Sequence, residues 1–320
     1  MKIVELNRNN SILNQYLAEI RDVNIQGDSL RFRRNIERVG EIMAYEISRD
    51  LPYQPLEIQT PLAMATENVP TIQPVIATIL RAGLPLHRGF INYFDRAENA
   101  FVSAYRKYID ADNFDIHIEY IASPRLDGKT LILVDPMLAT GGSMELAYKA
   151  LLTKGEPAHI HIASVIASRQ AVEHVQKVFP QDKTTVWCAA VDPDLNAHSY
   201  IVPGLGDAGD LCYGEKLEFN KSGDWTEVKC TKSEVPSAIV PEPIRTFLKN
   251  NYPDGKIIQI ERKDKGYQKS SFPIHSIFYC HNIRQRYKIQ FSFTREIKQV
   301  QSGYKKLTNL YENKKNIEMF

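Results

Sequence analysis

The run Leu131-Ile-Leu-Val-Asp-Pro-Met-Leu-Ala-Thr-Gly-Gly-Ser-Met144 constrains this chain more than any other stretch. Four apolar residues, Leu131 to Val134, predict a strand buried on both faces, as in the parallel sheets of α/β proteins. Asp135 closes that strand. Thr140-Gly141-Gly142-Ser143 then opens a helix, because Met144, Leu146, Ala147 and Leu151 follow on a helical period. A strand, a tight glycine turn and a helix N-terminus make an anion cradle. Backbone N–H groups of Ala139 to Ser143 can converge on one phosphate, and the helix dipole adds partial positive charge. The glycines allow close backbone approach, and the Thr140 and Ser143 hydroxyls add donors. No lysine follows the glycines, so this is not a Walker loop.

A bare Thr-Gly-Gly-Ser also fits an ordinary turn with a serine cap. The acid before it shifts the balance. Asp135 falls at the carboxyl end of a buried strand, where open α/β sheets bind ligands. A carboxylate there can hold the vicinal hydroxyls of a ribose while the loop holds its 5-phosphate.

Val134-Asp-Pro-Met-Leu-Ala-Thr-Gly-Gly-Ser143 resembles the 5-phosphoribosyl-1-diphosphate (PRPP) loop of uracil phosphoribosyltransferases. Most phosphoribosyltransferases carry two adjacent acids at this point; Asp135-Pro136 is similar to the uracil branch. The resemblance continues through Ile79-Leu-Arg-Ala-Gly83, Ala104-Tyr-Arg106 and Tyr200-Ile-Val-Pro-Gly-Leu-Gly-Asp-Ala-Gly-Asp210, in the family's order. It covers residues 1–217. It implies a type I phosphoribosyltransferase fold: a Rossmann-like, mostly parallel sheet with flanking helices, a β-arm and a hood. The implied reaction joins uracil to PRPP, giving UMP and diphosphate, in pyrimidine salvage. Transfer to another base, or an RNA-binding regulator of pyrimidine genes on the same fold, are the alternatives.

The resemblance also implies roles for single residues. PRPP falls to Arg81, Arg106, Asp135, Pro136, Met137, Leu138, Ala139, Thr140, Gly141, Gly142, Ser143 and Asp207. Uracil falls to Ile201, Gly206, Asp207 and Ala208. Arg106, Asp135 and Asp207 are the expected catalytic residues. No direct metal ligand is expected; Mg²⁺ would arrive with PRPP.

The residues suit these tasks. Arg81 follows the apolar run Pro74 to Leu80, beside a small-residue turn that is expected to include a non-proline cis peptide. There it is either a surface charge or a fork for a diphosphate. Asn99–Tyr105 and His117–Ile121 predict a β-arm, with the polar connection Tyr105–Asp115 mobile and carrying Arg106 over PRPP. The Asp194–Asp210 segment, rich in glycine, is the expected hood. Its backbone groups match the carbonyls and ring N–H of uracil, and cytosine would leave donors unpaired. Tyr200 fits either a place beside the base or the core.

Elsewhere the periodicity predicts helices over 11–22, from a cap at Ser29 and over Arg169–Phe179, and strands over Ile160–Ala167 and Thr184–Val191. After Gly83, Pro85 is expected to interrupt a helix. Arg31, Arg33, Arg34 and Arg38 crowd the helix after Ser29, as a solvated face or a receiver for a GTP effector, which the resemblance permits. His159 and His161 alternate along a strand with no acid beside them, and a packed or exposed histidine is a simpler reading than a metal ligand. Four scattered cysteines show no zinc spacing. No run reaches the roughly 20 apolar residues of a membrane helix and no signal peptide opens the chain, so the enzyme part is expected in the cytoplasm.

Charge divides the chain. Residues 218–320 hold 19 Lys and Arg against 11 Asp and Glu, a surplus of 8, while the whole chain's surplus is only 2. The remainder, 1–217, is therefore acidic by 6, against expectation for a nucleic-acid binder. Residues 218–320 are read as a small α+β extension. The span Val235 to Arg262 resembles PepSY-like, β-lactamase-inhibitor-like domains. A hairpin is expected over Leu217–Val228, a helix over Pro241–Asn251 and a strand from Asp254. The likeness fades near Gln268, which leaves an accidental fusion, a frame change or a real accessory domain as alternatives, and Phe272–Phe320 shows no pattern. A homodimer or larger homo-oligomer completes the expectations.

Overall fold

The computed structural model describes residues 1–108, 114–196, 199–214, 216–219, 225–229, 235, 237–238, 240, 242, 245–246, 249, 256–263, 277–282 and 285–292. The chain divides into two compact units, Met1–Tyr213 and Gly214–Phe320.

The first unit runs β1 (Lys2–Glu5), α1 (Leu13–Arg21), α2 (Ser29–Ser48), β2 (Tyr53–Gln59), β3 (Met64–Pro70), β4 (Val75–Ile79) and α3 (Leu84–Ile91). It continues through β5 (Glu98–Tyr108), β6 (Phe114–Ala122), β7 (Thr130–Val134), β8 (Met137–Leu138), α4 (Gly142–Leu151), β9 (His159–Ser168) and α5 (Arg169–Val178). It ends with β10 (Thr184–Asp192), followed by the hood elements β11 (Asp194–Leu195) and β12 (Ile201–Val202) and then α6 (Ala208–Tyr213). The main sheet has the order β1-β10-β9-β7-β4-β5-β6, with β8 added alongside β9. All its pairings are parallel except β5 with β6.

Apolar patterning accounts for these layers. β7 is buried at every position, and β9 at all but its first. Helices cover both faces of such a sheet. On one side Phe32, Ile36, Val39, Met43 and Ile47 of α2 pack with Leu13, Leu17 and Ile20 of α1 and Leu86 and Phe90 of α3. On the other, Met144, Ala147 and Leu151 of α4 meet Ala171 and Val175 of α5 over Leu131, Leu133 and Ile162.

Several local expectations shift. Asp28, not Ser29, caps α2; its carboxylate accepts from the N–H groups of Leu30 and Arg31, and a negative charge suits that end of the dipole. Pro85 does not interrupt α3 but sits in its first turn, where a missing N–H is harmless. β5 and β6 extend into the presumed connection, to Tyr108 and from Phe114, so Arg106 lies in a strand opposite Ile116. The rest of that connection, 109–113, lies outside the described residues. Sequence reading gave no hairpin at β2–β3, yet the two strands pair from Tyr53 with Pro70 to Gln59 with Met64. Every residue of β2 is exposed, and Pro55 cuts the alternation of Leu56 and Ile58 with Glu57 and Gln59 to four residues, a weak strand signal.

Histidine packing agrees with the sequence. His161 is buried, accepts from Trp187 Nε1 at 3.1 Å, and desolvation pushes its pKa down to about 3. Cys188 and Cys212 are free and buried, with thiols pushed up to about 12 chiefly by desolvation.

The second unit contains β13 (Lys216–Phe219), β14 (Trp225–Lys229), β15 (Lys256–Lys263), β16 (Ile277–Asn282) and β17 (Gln285–Ser292), in the order β13-β14-β15-β17-β16. The β13–β14 hairpin follows the expected register, with Leu217 opposite Val228. Within Pro241–Asn251, Glu242, Arg245, Thr246 and Lys249 are helical and exposed. β16 and β17 fall where no pattern was expected and pair through Asn282 and Gln285. Alternation of Tyr287, Ile289 and Phe291 with Lys288, Gln290 and Ser292 was the available signal.

Candidate active site

The topology fixes where a ligand belongs. From β4 the chain moves to β5 on one side, whereas β7 leads to β9 on the other. The crevice between the carboxyl ends of β4 and β7 is therefore the switch point of the sheet. The Arg81 turn follows β4, and Asp135 follows β7.

Asp135 is stitched in by its backbone. Its N–H donates to Ala163 O at 3.1 Å, and its carbonyl accepts from Ser164 Oγ at 2.7 Å. The next residues run on along β9 in the same direction as β7 instead of looping freely. Ile166 N–H donates to Pro136 O at 3.0 Å, and Met137 and Leu138 pair with Ile166 and Ala167. Ser168 Oγ donates to Ala139 O at 2.6 Å and accepts from Ala171 N–H at 2.9 Å, so one hydroxyl ties the cradle to the start of α5. Ser164 and Ser168 were not singled out in the sequence; only their place in a long apolar strand sets them apart.

The carboxyl of Asp135 is only half-buried, but protein surrounds it closely. Desolvation pushes its pKa up to about 7, against a weaker opposing pull from the Met137 backbone N–H. An acid poised this way gains from any ligand that donates hydrogen bonds to its charged form.

Gly141 is the N-cap of α4, at φ +83°. A Cβ there would lie 2.7 Å from His174 Cδ2, so both conformation and space require glycine. His174 Nε2 pairs with Glu145 Oε2 at 2.9 Å, and Lys149 holds the other oxygen at 2.6 Å. The alternative of a serine cap is not what forms; Ser143 is exposed, as is Thr140, whose Oγ1 accepts from Gly142 N–H at 3.3 Å. Both hydroxyls lie on the open side of the cradle.

Arg81 follows a cis Leu80–Arg81 peptide, and Arg81 Nη2 reaches Asp210 Oδ1 at 3.4 Å. That contact joins the presumed diphosphate turn to the hood. Asp207 caps α6: its Oδ1 accepts from Asp210 N–H at 3.0 Å. Ile201 and Ala208 are buried, Asp207 is half-buried, and Gly206 is exposed at φ +89°. The structure thus brings together Arg81, Asp207 and Asp210 in one group, and Asp135 with the 136–143 cradle in another. Arg106 is placed by its strand register alone.

Parallel strands, a glycine cradle at the switch point and a hood over the neighbouring strand end define the phosphoribosyltransferase class. Family comparison agrees: residues 7–215 match the model described as "Uracil phosphoribosyltransferase". The chain belongs to the uracil phosphoribosyltransferase family. A Porphyromonas gingivalis uracil phosphoribosyltransferase is 66% identical over 217 residues, which are 68% of this chain and 100% of that protein. One from Methanothermobacter thermautotrophicus is 38% identical over 207 residues, 64% of this chain and 93% of the relative. A solved structure from Aquifex aeolicus superposes with a TM-score of 0.57 at 28% identity, covering 66% of this chain and 98% of that one. Residues 208–271 match a second model, "Putative beta-lactamase-inhibitor-like, PepSY-like".

Proposed function

We propose that residues 1–217 form a unit that converts uracil and PRPP to UMP and diphosphate. The observation that carries this reading is the poised Asp135 beside the Gly141 cradle at the sheet's switch point, within a chain of this family. The 5-phosphate sits on the first turn of α4, held by backbone N–H groups of Ala139 to Ser143 and the dipole of α4. Pro136, Met137 and Leu138 line the approach. Asp135 accepts from the ribose hydroxyls. Arg81 and Arg106 take the diphosphate, where charge grows as it leaves. Backbone groups at Ile201 and Gly206–Ala208 read the base, and Asp207 reaches PRPP from the hood.

The bond from C1 of the ribose to diphosphate loosens first, leaving an oxocarbenium-like sugar that uracil N1 attacks. The protein contributes orientation and electrostatic stabilisation. No side chain is assigned as base for N1.

Among the described residues no group of three or more His, Cys, Asp or Glu could hold a metal ion. This donor set fits Mg²⁺ carried by PRPP, since Mg²⁺ keeps waters and substrate oxygens and needs one or two carboxylates. The ion would be held by PRPP and offset charge on the diphosphate, with Asp207 able to reach PRPP directly or through Mg²⁺ or water.

Exposure of the β2–β3 hairpin, including Leu56, Ile58 and Met64, supports a second copy of the chain as partner. A GTP effector stays with the arginines of α2: Arg31 and Arg34 pair with Glu19 and Glu37 but keep half of their side-chain surface open, whereas Arg33 and Arg38 donate to Cys212 O and Asn35 Oδ1. No helix among the described residues is long and apolar enough to cross a membrane. Residues 218–320 are proposed as an extension outside the chemistry.

The test is to incubate the purified chain with labelled uracil, PRPP and Mg²⁺. UMP formation is expected, with cytosine and purines turned over at least 100-fold more slowly. No UMP, or equal use of another base, would overturn the reading.

A further inference from the structure

We propose that Arg21 and Asp192 form a clamp that positions the base-recognition loop for uracil, an inference that rests on the function proposed above. Arg21 is the last residue of α1, and Asp192 the last of β10. They are 171 positions apart, yet Arg21 Nη1 and Nη2 each donate to one carboxylate oxygen of Asp192 at 2.8 Å. Such a two-pronged pair fixes orientation as well as distance.

The same two side chains grip the hood at one residue. Arg21 Nη1 also donates to Gly204 O at 3.0 Å, and Gly204 N–H donates to Asp192 Oδ2 at 2.9 Å. Both backbone groups of Gly204 are therefore held by the ion pair. Gly204 lies at φ +61°, and a Cβ on it would fall 2.0 Å from Ile201 O. The loop thus folds hard against Ile201, one end of the proposed base reader, while Gly206–Ala208 form the other. Gln26 adds a brace: its Nε2 donates to Ile20 O and Arg21 O, both at 3.1 Å.

Asp192 is only 6% exposed, and its carboxylate accepts three hydrogen bonds. A pair of this kind gives little net stability compared with an apolar replacement, whereas it specifies geometry well. It holds the hood through the main chain of Gly204, between the two segments assigned to uracil. Arg21 and Asp192 do not touch substrate in this reading; they are positioning residues. They should govern base recognition and leave the PRPP cradle, which is tied to β9 and α5, unaffected.

The test uses the full chain with Arg21→Lys, which keeps the charge but loses the fork, and Asp192→Asn, which removes the charge at nearly constant shape. Uracil and PRPP are varied independently in steady-state assays. The expected result is a rise of at least tenfold in KM for uracil, a change of less than threefold in KM for PRPP, and an increased rate with cytosine relative to uracil. Equal rises in both KM values, or no rise, would overturn the clamp. If Arg21→Lys melts below the assay temperature, Asp192→Asn alone decides by the same split, and failure of both variants to fold assigns the pair to stability and overturns the proposal. A native chain that makes no UMP defeats the underlying function, whereas an active native chain with unchanged variants defeats only the clamp.

Discussion

The phosphate cradle and the hood are held in opposite ways. The cradle is local: strand, turn and helix are contiguous, and residues 135–139 are fastened to the neighbouring β9 by backbone pairing and two serine hydroxyls. The hood is irregular. Its paired strands are only two residues each, and an ion pair from α1 and β10 fixes its turn at Gly204. A phosphate is nearly the same object in every PRPP, so a rigid cradle suffices. A base must be told from its neighbours, and an irregular loop held by side-chain anchors can change its reading edge without disturbing the sheet.

The largest effect should come from Asp135→Asn. The charge proposed to meet the ribose hydroxyls disappears while the strand is preserved. A fall in kcat/KM for PRPP of at least about 100-fold, about 2.7 kcal/mol, is expected. Near-normal kinetics would remove Asp135 from the site. The same variant should be more stable than the native chain at pH 8. A carboxyl with its folded pKa raised to about 7 favours the folded state below its unfolded value and loses that contribution as pH rises through 7. Thermal melting at pH 5 and pH 8 checks the sign.

Gly141→Ala comes next. It places a side chain at φ +83° and 2.7 Å from His174 Cδ2. About tenfold weaker PRPP use is expected, with uracil KM changed less than threefold. Equal damage to both substrates would mean that the cradle and hood are not separable.

Arg106→Ala sharpens the contrast from the side of the leaving group. If Arg106 acts on departing diphosphate, kcat should fall about tenfold while uracil KM changes little. A raised uracil KM alone would move Arg106 to base recognition.

The smallest effect is expected from truncation after Leu217. Activity should change less than threefold, about 0.65 kcal/mol of barrier. Steady-state kinetics, melting and gel filtration of both forms check this. Aggregation or loss of activity would make residues 218–320 an integral part of the enzyme.

What could be read in advance follows the same division. The β7–turn–α4 unit, the apolar face of α2 and the buried strands were legible because their determinants lie within a few residues of one another. Asp135, Arg81 and the glycines carried local chemistry, and the structure sets them around one switch point. The Arg21–Asp192 pair had no local signature, since neither residue sits in a motif and their separation hides the contact. The β2–β3 hairpin was missed for another reason: Pro55 leaves only the short alternation Leu56 to Gln59, and no residue of β2 is buried. At the start of α2, two adjacent cap-forming residues, Asp28 and Ser29, competed, and the carboxylate took the cap.

The account rests most directly on Asp135 meeting the ribose of PRPP, and equilibrium PRPP binding measured against pH tests that contact. In the free protein the carboxyl titrates near pH 7, and ribose donors favour its charged form. Native affinity should therefore gain close to tenfold per pH unit as pH rises towards 7 and then level off, beyond any slope due to PRPP itself. Asp135→Asn should show only the ligand's own slope. The same pH dependence in both proteins would contradict the account.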